Sequence, residues 1–212
     1  LAFERMAQCD SRHLSEVLRL FTVTALEIGE GQQYDMEFEN RNDVKEEEYI
    51  EMIRLKTSVL LACAMKIGAI LADAPAEDVE NLYKFGEQIG LAFQLQDDYL
   101  DVYGDPKVFG KKIGGDIICN KKTYMLINAF NKANARQCKE LEKWIGCENF
   151  NHEEKVAAVT KLYNSIGVDK MAMERINYYF DEANKYIAAV NLPDERKAEL
   201  LAYAQMMLHR KW

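Results

Sequence analysis

The chain has 212 residues and a net charge of −8, with 49% hydrophobic and 29% charged residues. This length and this balance are typical of one folded domain with a single core. An acidic chain of this kind excludes nucleic acid as a main partner, because phosphate backbones are bound by net basic surfaces.

The patterns of cysteine, histidine and apolar residues argue against several further classes of protein. The five cysteines are scattered and form no CxxC pair, which favours a reducing cytoplasm over a disulfide framework. The three histidines lie far apart, so a histidine-based zinc or di-iron site is not expected. The longest apolar stretch, 58–74, contains Lys66 and falls short of the ~20 apolar residues of a membrane span. No signal peptide is visible, and we expect a soluble, cytoplasmic protein.

Hydrophobic spacing predicts helices along the whole chain and no β-strand of useful length. Residues 1–8 have a helical pattern with no residue before them that could cap it, which we interpret as a helix cut in its middle. The stretch 107–120 is predicted to be one extended loop. The sequence therefore predicts an all-α, single-domain protein. The other helices are predicted at 11–39, 46–72, 76–103, 121–146, 152–165, 169–190 and 194–211.

The helix at 11–39 has a clear inward face, on which residues recur at steps of four and three. Half of its members are large and apolar, and the face also includes a hydroxyl, a glycine and a carboxylate. The predicted inward residues are Val17, Phe21, Thr24, Ile28, Gly31 and Asp35.

Polar residues form an unusual stripe on the helix that follows Pro75. Asp97 and Asp101 are an i, i+4 like-charge pair, which costs roughly 0.2–0.5 kcal/mol even when exposed. A divalent cation would remove this repulsion, and clustered carboxylate oxygens are ligands that Mg²⁺ prefers. The alternative is a solvated acidic face near a helix end. The stripe comprises Gly86, Gly90, Gln94, Asp97 and Asp101, with Asp98 alongside, and the neighbouring apolar stripe holds Ile89, Phe93 and Leu100.

A lysine and a threonine interrupt the core-facing seam of the helix at 46–72. Lys56 occupies a seam position and Thr57 the position beside it. A buried ammonium is costly without a partner, and taken alone such a lysine is more commonly explained by an ammonium that extends to the surface or by a structural ion pair. A polyanion bridged by metal to Asp97 and bound by Lys56 would satisfy both unusual faces. The apolar members of the seam are Tyr49, Ile53, Leu60, Cys63 and Ile67.

A lysine- and glycine-rich loop follows the acidic helix. It carries five lysines between 107 and 122 among Gly110, Gly114 and Gly115. Flexible backbone with point cations suits closure over phosphate groups, and an ordinary basic surface loop is the alternative.

Five motifs in order make the chain resemble the trans-prenyltransferases of the polyprenyl synthetase family, over essentially its whole length. The first three are Gly31-Gln-Gln-Tyr-Asp35, the lysine–threonine pair Lys56-Thr57, and Phe93-Gln94-Leu-Gln-Asp97-Asp98-Tyr-Leu-Asp101. The remaining two are the loop Gly110-Lys111-Lys-Ile-Gly114-Gly-Asp116 and the segment Lys121-Lys-Thr123. The resemblance implies an all-α antiparallel bundle of the isoprenoid synthase type, with helices around a central cavity.

The resemblance also implies an activity: condensation of isopentenyl diphosphate with an allylic diphosphate to give a longer trans-polyprenyl diphosphate. It implies Mg²⁺, with Mn²⁺ as an alternative ion, and a homodimer. Asp97 would ligate the metal, and Asp98 and Asp101 would ligate it or hold its waters. Lys56, Lys111 and Lys121 would bind diphosphate oxygens, with Phe93 and Asp116 also at the substrate. Thr57, Gln94 and the Lys56 carbonyl would face the allylic carbon, supported by Gln32 and Asp35.

Two family elements are missing from these residues. Asp97-Asp98-Tyr-Leu-Asp101 is the sole aspartate-rich motif, and no Arg-Arg pair occurs; in the family's order, the first aspartate-rich motif and the arginine pair would precede Leu1. We therefore expect 1–212 to be the C-terminal two-thirds of one polyprenyl synthetase domain and to be inactive alone. Two alternatives remain open, a non-catalytic regulatory subunit of the same fold and a terpene cyclase-like class I enzyme.

Overall fold

The computed structural model describes residues 2–105, 113–147 and 149–208, and these ranges contain helices and no strand. Within them no helix is both long and apolar enough to cross a membrane. The first helices are α1 (Ala2–Met6), α2 (Ser11–Glu39), α3 (Glu46–Ile53), a π-helix (Arg54–Ser58), α4 (Val59–Leu71) and α5 (Ala76–Tyr103). They are followed by α6 (Gly115–Ile118), α7 (Tyr124–Lys132), α8 (Ala135–Ile145), α9 (His152–Ile166), α10 (Val168–Ala189) and α11 (Asp194–Leu208).

Helix α5 is the centre of the fold, packed most extensively against α10 on one side and α4 on the other. Its side chains Phe85, Ile89 and Leu95 are almost completely buried. Of the apolar stripe predicted beside the acidic residues, Ile89 and Leu100 are buried, whereas Phe93 is only partly buried. The inward face predicted for α2 is confirmed as well, since Val17 and Thr24 are buried.

Glycines allow α2, the π-helix and α5 to approach within backbone contact. A Cβ atom added to Gly31 of α2 would lie 2.4 Å from the Lys56 backbone nitrogen, and one added to Gly90 of α5 would lie 2.5 Å from the Ser58 Cα. Distances this short are below any real Cβ contact. The π-helix is thus held between two glycine positions, one on each neighbouring helix.

The predicted uniform helix at 46–72 is wrong in its middle. Arg54–Ser58 is a π-helix, in which the Val59 N–H donates to the Arg54 carbonyl, five residues earlier. The wider turn changes the phase of the buried face. Ser58 and Val59 are completely buried, whereas Leu60, predicted on the core-facing seam, is 49% exposed.

Two further predictions are corrected between 113 and 146. The predicted helix at 121–146 is two helices, α7 and α8, separated at Ala133, whose backbone is extended. Asn134 then caps α8 by accepting from the N–H groups of Arg136 and Gln137, each at 3.0 Å, a role for which asparagine is favoured. The predicted loop at 107–120 contains the short helix α6, which follows Gly114 at φ +84°. The lysines of that loop before Ile113 lie outside the described residues.

Candidate active site

Two side-chain contacts join three motifs that are far apart in the sequence. Lys56 Nζ of the π-helix donates to Asp35 Oδ2 of α2 at 2.6 Å. Its neighbour Thr57 donates from Oγ1 to Gln94 Oε1 of α5 at 3.1 Å. The π-helix therefore directs its lysine toward α2 and its threonine toward α5, and each side chain meets a polar partner there. The Lys56–Asp35 pair is only partly exposed, at 33% and 17% of the two side chains.

A buried hydrogen-bond network continues from Gln94 to Asp98. Gln94 Nε2 donates to Asp98 Oδ1 at 3.4 Å, and the Tyr49 hydroxyl donates to Asp98 Oδ2. The Tyr124 N–H donates to the same oxygen at 3.4 Å. Asp98 is 3% exposed, and burial raises the pKa of its carboxyl to about 7, against the opposing effect of the Tyr49 hydroxyl. Both oxygens of Asp98 thus meet protein donors.

Replacement of Tyr49 by phenylalanine is expected to destabilise the complete protein by about 1–3 kcal/mol, because the buried Asp98 carboxyl loses its hydroxyl donor. The free energy of unfolding, measured in urea, tests this. Tyr203→Phe is the matched control, since Tyr203 is 54% exposed and its change should stay within about 0.5 kcal/mol. Equal stability of the two variants would contradict the role assigned to Tyr49.

Asp101 is bonded to the backbone of the turn that begins α6. Its Oδ2 accepts from the Asp116 N–H at 3.0 Å, and its carbonyl accepts from the Gly114 N–H at 2.6 Å. Two hydrogen bonds therefore hold Asp101 of α5 and the glycine-rich turn together as one unit. This unit brings the Asp116 side chain beside Lys121, with Oδ1 and Nζ 4.0 Å apart.

The turn and the end of α5 form an electrostatically coupled group. Burial raises the pKa of Asp116 to about 6, with Asp101 and Asp97 adding to the increase and Lys121 opposing it. Burial also raises the pKa of Asp101. Burial alone would lower the pKa of Lys121, but the surrounding carboxylates outweigh it and the pKa is raised. Among the residues that the structure describes, the site holds more acidic groups than cations, and a bound metal ion would relieve the repulsion between the carboxylates.

The donor set fits a metal ion that is shared with a ligand. In the described parts of the chain, no group of three histidine, cysteine or acidic residues could hold a metal ion on its own. Mg²⁺ usually keeps several waters and is bound by one or two carboxylates together with substrate phosphate oxygens. Asp97 and Asp101, half-buried on one face of α5, are carboxylates suited to such a site.

The structure thus brings together most of the residues that the sequence singled out. Asp35, Lys56, Thr57, Gln94 and Asp98 are joined by direct contacts, and Asp101, Asp116 and Lys121 form the adjoining turn. Gln32 is exposed on α2, and Phe93 lines a separate cavity of about 200 Å³ between α4, α5 and α11. The prediction for Lys111 lies outside the described residues.

Tyr49 and Tyr124 are the site residues that sequence reasoning missed. Tyr49 was predicted only as a core residue, and its spacing with Ile53 carries no sign of a hydroxyl bound to a carboxylate. Tyr124 contributes through its backbone N–H, which no side-chain pattern can reveal.

Comparison with known proteins gives concordant matches. The sequence model of the polyprenyl synthetase family matches residues 1–163. A short chain isoprenyl diphosphate synthase of Methanocaldococcus jannaschii is 41% identical over 166 residues, which cover 78% of this chain and 50% of that protein. The chain thus spans about half the length of this curated relative.

Solved structures agree with the sequence matches. A crystal structure of a geranylgeranyl pyrophosphate synthase superposes with a TM-score of 0.92 at 38% identity, over 100% of this chain and 65% of that one. A polyprenyl synthase of Caulobacter crescentus, crystallised with calcium and isoprenyl diphosphate, superposes with a TM-score of 0.82 at 27% identity. That match covers 92% of this chain and 59% of the other.

Proposed function

The chain belongs to the polyprenyl synthetase family, and we propose that the protein of which it forms a part is a trans-prenyltransferase. Its reaction would join isopentenyl diphosphate to an allylic diphosphate, giving a longer trans-polyprenyl diphosphate and releasing pyrophosphate. The observation that carries the proposal is the pair of contacts from Lys56 to Asp35 and from Thr57 to Gln94. They place a cation and two neutral oxygens in one site beside the carboxylates of α5.

The neutral oxygens suit a reaction in which a carbon atom becomes positive. Cleavage of the allylic C–O bond leaves the electron pair on pyrophosphate and positive charge on the allylic carbon. The Thr57 hydroxyl donates a hydrogen bond to Gln94 Oε1, so lone pairs of the Thr57 oxygen remain available to that carbon. Oxygens oriented before charge develops lower the barrier without reorganisation. Attack by the double bond of isopentenyl diphosphate then forms the new C–C bond, and proton loss to the released pyrophosphate completes the reaction.

The cations of the site suit the diphosphate group. Lys56 and Lys121 approach from the π-helix and from the turn after α6, and both have carboxylate partners that hold them in place. Lys111 remains a predicted third phosphate ligand. Asp116 orients Lys121, and Asp35 orients Lys56 with Gln32 one turn away on the same helix. Phe93 stays a predicted substrate contact.

We propose Mg²⁺ as the cofactor, with Mn²⁺ as an alternative. Asp97 and Asp101 would hold it, and it would supply positive charge that stabilises the leaving pyrophosphate. The calcium in the Caulobacter crescentus neighbour supports a divalent ion in this fold. Because both Asp98 oxygens accept protein hydrogen bonds, we assign Asp98 to holding Gln94 and α5 in place, with any contact to the metal made through water.

We propose further that residues 1–212 are the C-terminal part of one longer domain and are inactive alone. The chain spans 50% of the relative from Methanocaldococcus jannaschii, and a second aspartate-rich motif and an Arg-Arg pair are absent from its sequence. Without that motif and the arginine pair, the isopentenyl diphosphate would lack its protein ligands and the metal coordination would be incomplete.

A prenyl-transfer assay tests the proposal. The 212-residue chain and the complete gene product that contains it each receive isopentenyl and allylic diphosphates with Mg²⁺, and products are sized by mass spectrometry. Activity in the complete protein alone is the expected result, and the mass of the product reports its chain length. Inactivity of both would favour a regulatory subunit, and a cyclised hydrocarbon would favour a terpene cyclase.

A homodimer is part of the proposal. On α2, Val23, Leu26 and Tyr34 are 48%, 65% and 42% exposed, and steps of three and eight keep them on one side of the helix. A second copy of the chain would cover this apolar side. Sedimentation equilibrium of the complete protein tests it, and a monomer at micromolar concentration would contradict it.

The five free cysteines support the proposed location in a reducing cytoplasm.

Replacement of Lys56 by alanine is expected to weaken binding of the allylic diphosphate by about tenfold to a hundredfold, because a charge-assisted hydrogen bond contributes about 1.5–3 kcal/mol. Calorimetric titration of the complete protein measures this. Lys66→Ala is the matched control, since Lys66 lies in the following helix and pairs with the exposed Glu80. Unchanged affinity of the Lys56 variant would remove Lys56 from the diphosphate site.

A further inference from the structure

A completely buried lysine lies beneath the turn that carries Asp116 and Lys121. Lys155 of α9 has a relative exposure of 0%. Its ammonium donates to Asn120 Oδ1 at 2.7 Å and to the Ile118 carbonyl at 3.4 Å. It also lies 4.1 Å from the centre of the Phe150 ring. In the part of the chain that the structure describes, the ammonium forms no ion pair with a carboxylate. Burial lowers its pKa.

The shorter of the two hydrogen bonds of Lys155 is made to Asn120. Asn120 adopts φ +53°, a left-handed conformation that asparagine tolerates better than most residues. Its Oδ1 accepts from Lys155, and its Nδ2 donates to the Ile145 carbonyl at the end of α8 at 3.1 Å. The next residue is Lys121, whose N–H donates to the Asp116 carbonyl at 2.9 Å. Asn120 therefore connects Lys155 to the backbone that positions Lys121.

The residue after Lys155 supports the other end of the same turn. A Cβ atom added to Gly114 would lie 2.5 Å from Val156 Cγ2, so Gly114 packs directly on that side chain at φ +84°. Two adjacent residues of α9 thus contact the turn before and after α6. A small cavity of about 10 Å³ is lined by Asp116, Lys121 and Lys155 among others.

We propose that Lys155 is a positioning residue for diphosphate binding, which acts through Asn120 to hold Asp116 and Lys121 in the geometry that receives the phosphate oxygens. This inference rests on the proposed function. A lysine suits the task because its ammonium has three donors, two of which bind two separate acceptors on the turn. An apolar side chain of the same length would fill the space without fixing the turn. Lys155 itself contacts no substrate.

Binding of Mg²⁺–pyrophosphate to the complete protein, measured by calorimetry, tests the proposal without requiring turnover. Lys155→Met is expected to weaken binding by about tenfold, which corresponds to 1.4 kcal/mol. Lys161→Met is the matched control, because Lys161 lies on the same helix and is exposed; its affinity should remain within about twofold.

A second variant separates positioning from loss of charge. Asn120→Gly removes the connecting amide, suits the positive φ and leaves the net charge unchanged. Asn120→Gly should also weaken pyrophosphate binding. The double variant should bind pyrophosphate no more weakly than whichever single variant binds it less tightly, because Lys155 acts through Asn120 and the two effects are not additive. In the prenyl-transfer assay, both variants should raise KM for the allylic diphosphate by more than they lower kcat.

The outcomes distinguish this proposal from the function on which it rests. If the unaltered protein fails to bind Mg²⁺–pyrophosphate, the proposed function is wrong and this inference falls with it. If the unaltered protein binds but the folded Lys155 and Asn120 variants bind equally well, with only their melting temperatures lowered, Lys155 has a structural role and the inference alone is overturned. If Lys155→Met does not fold, the result for Asn120→Gly decides.

Discussion

If the complete protein is the proposed prenyltransferase, replacement of Asp97 by alanine is expected to lower its turnover by about two to four orders of magnitude. Asp97 is half-buried on α5, one turn from Asp101, and is the carboxylate that we assign to the metal. Lewis-acid stabilisation of the leaving group is worth several kcal/mol, and each 1.36 kcal/mol is a factor of ten in rate. Its loss should therefore appear mainly in kcat.

The same substitution should leave thermal stability almost unchanged. The i, i+4 repulsion with Asp101 is relieved, a gain of roughly 0.2–0.5 kcal/mol, which offsets lost contacts of Asp97. Turnover as a function of Mg²⁺ concentration and the melting temperature are the two measurements. Glu77→Gln is the control, an exposed acidic residue in the first turn of the same helix. Full turnover of Asp97→Ala at the usual Mg²⁺ concentration would refute the metal assignment.

Replacement of Gly31 by alanine is expected to destabilise the complete protein by about 1–3 kcal/mol, the usual cost of an extra methyl group in a packed interior. The new Cβ would lie 2.4 Å from the Lys56 nitrogen and 2.8 Å from its Cα. Both are backbone atoms, so α2 and the π-helix must separate. Because Asp35 lies one turn from Gly31, the Lys56–Asp35 pair would be disturbed, and KM for the allylic diphosphate should rise.

A second glycine on the same helix provides a control with the opposite sign. Gly29 has no atom within 4 Å of an added Cβ, and Gly29→Ala should stabilise the protein by about 0.5–1 kcal/mol, since alanine is favoured over glycine inside a helix. Chemical denaturation and KM for the allylic diphosphate, measured on both variants, provide the test. Equal effects of the two substitutions would show that the close approach at Gly31 does not hold the π-helix.

Periodicity predicted a large part of this protein, because a helix translates spacing directly into a shared face. The stripe of Gly90, Gln94, Asp97 and Asp101 follows from steps of three and four, and Ile89 and Leu100 of the neighbouring stripe are buried as expected. The same reasoning identified Lys56 and Thr57 as polar residues in a core-facing helix. Residue types and their spacing therefore determined the helical class, the polar stripes and the choice of most site residues.

The tertiary structure determined which partners those residues contact. In the sequence, Asp98 stands alongside Asp97 as a further candidate for the same metal. Adjacent helical positions point about 100° apart, and only packing shows that Asp98 turns toward Tyr49 and the core. The π-helix at 54–58 depends on the close approach of Gly31 and Gly90 from two other helices, which no local pattern contains.

The support beneath the turn that carries Asp116 and Lys121 is the clearest contribution of the tertiary structure. In sequence, Lys155 follows Glu153 and Glu154 and resembles a charged surface residue of an amphipathic helix. Its burial results from the packing of α9 on the turn after α6, more than thirty residues earlier, where Asn120 meets it. Spacing along one helix shows which residues share a face, whereas the partner of that face is set by long-range packing. The residues of the candidate site could therefore be predicted from the sequence, and the contacts that hold them in place were determined by the fold.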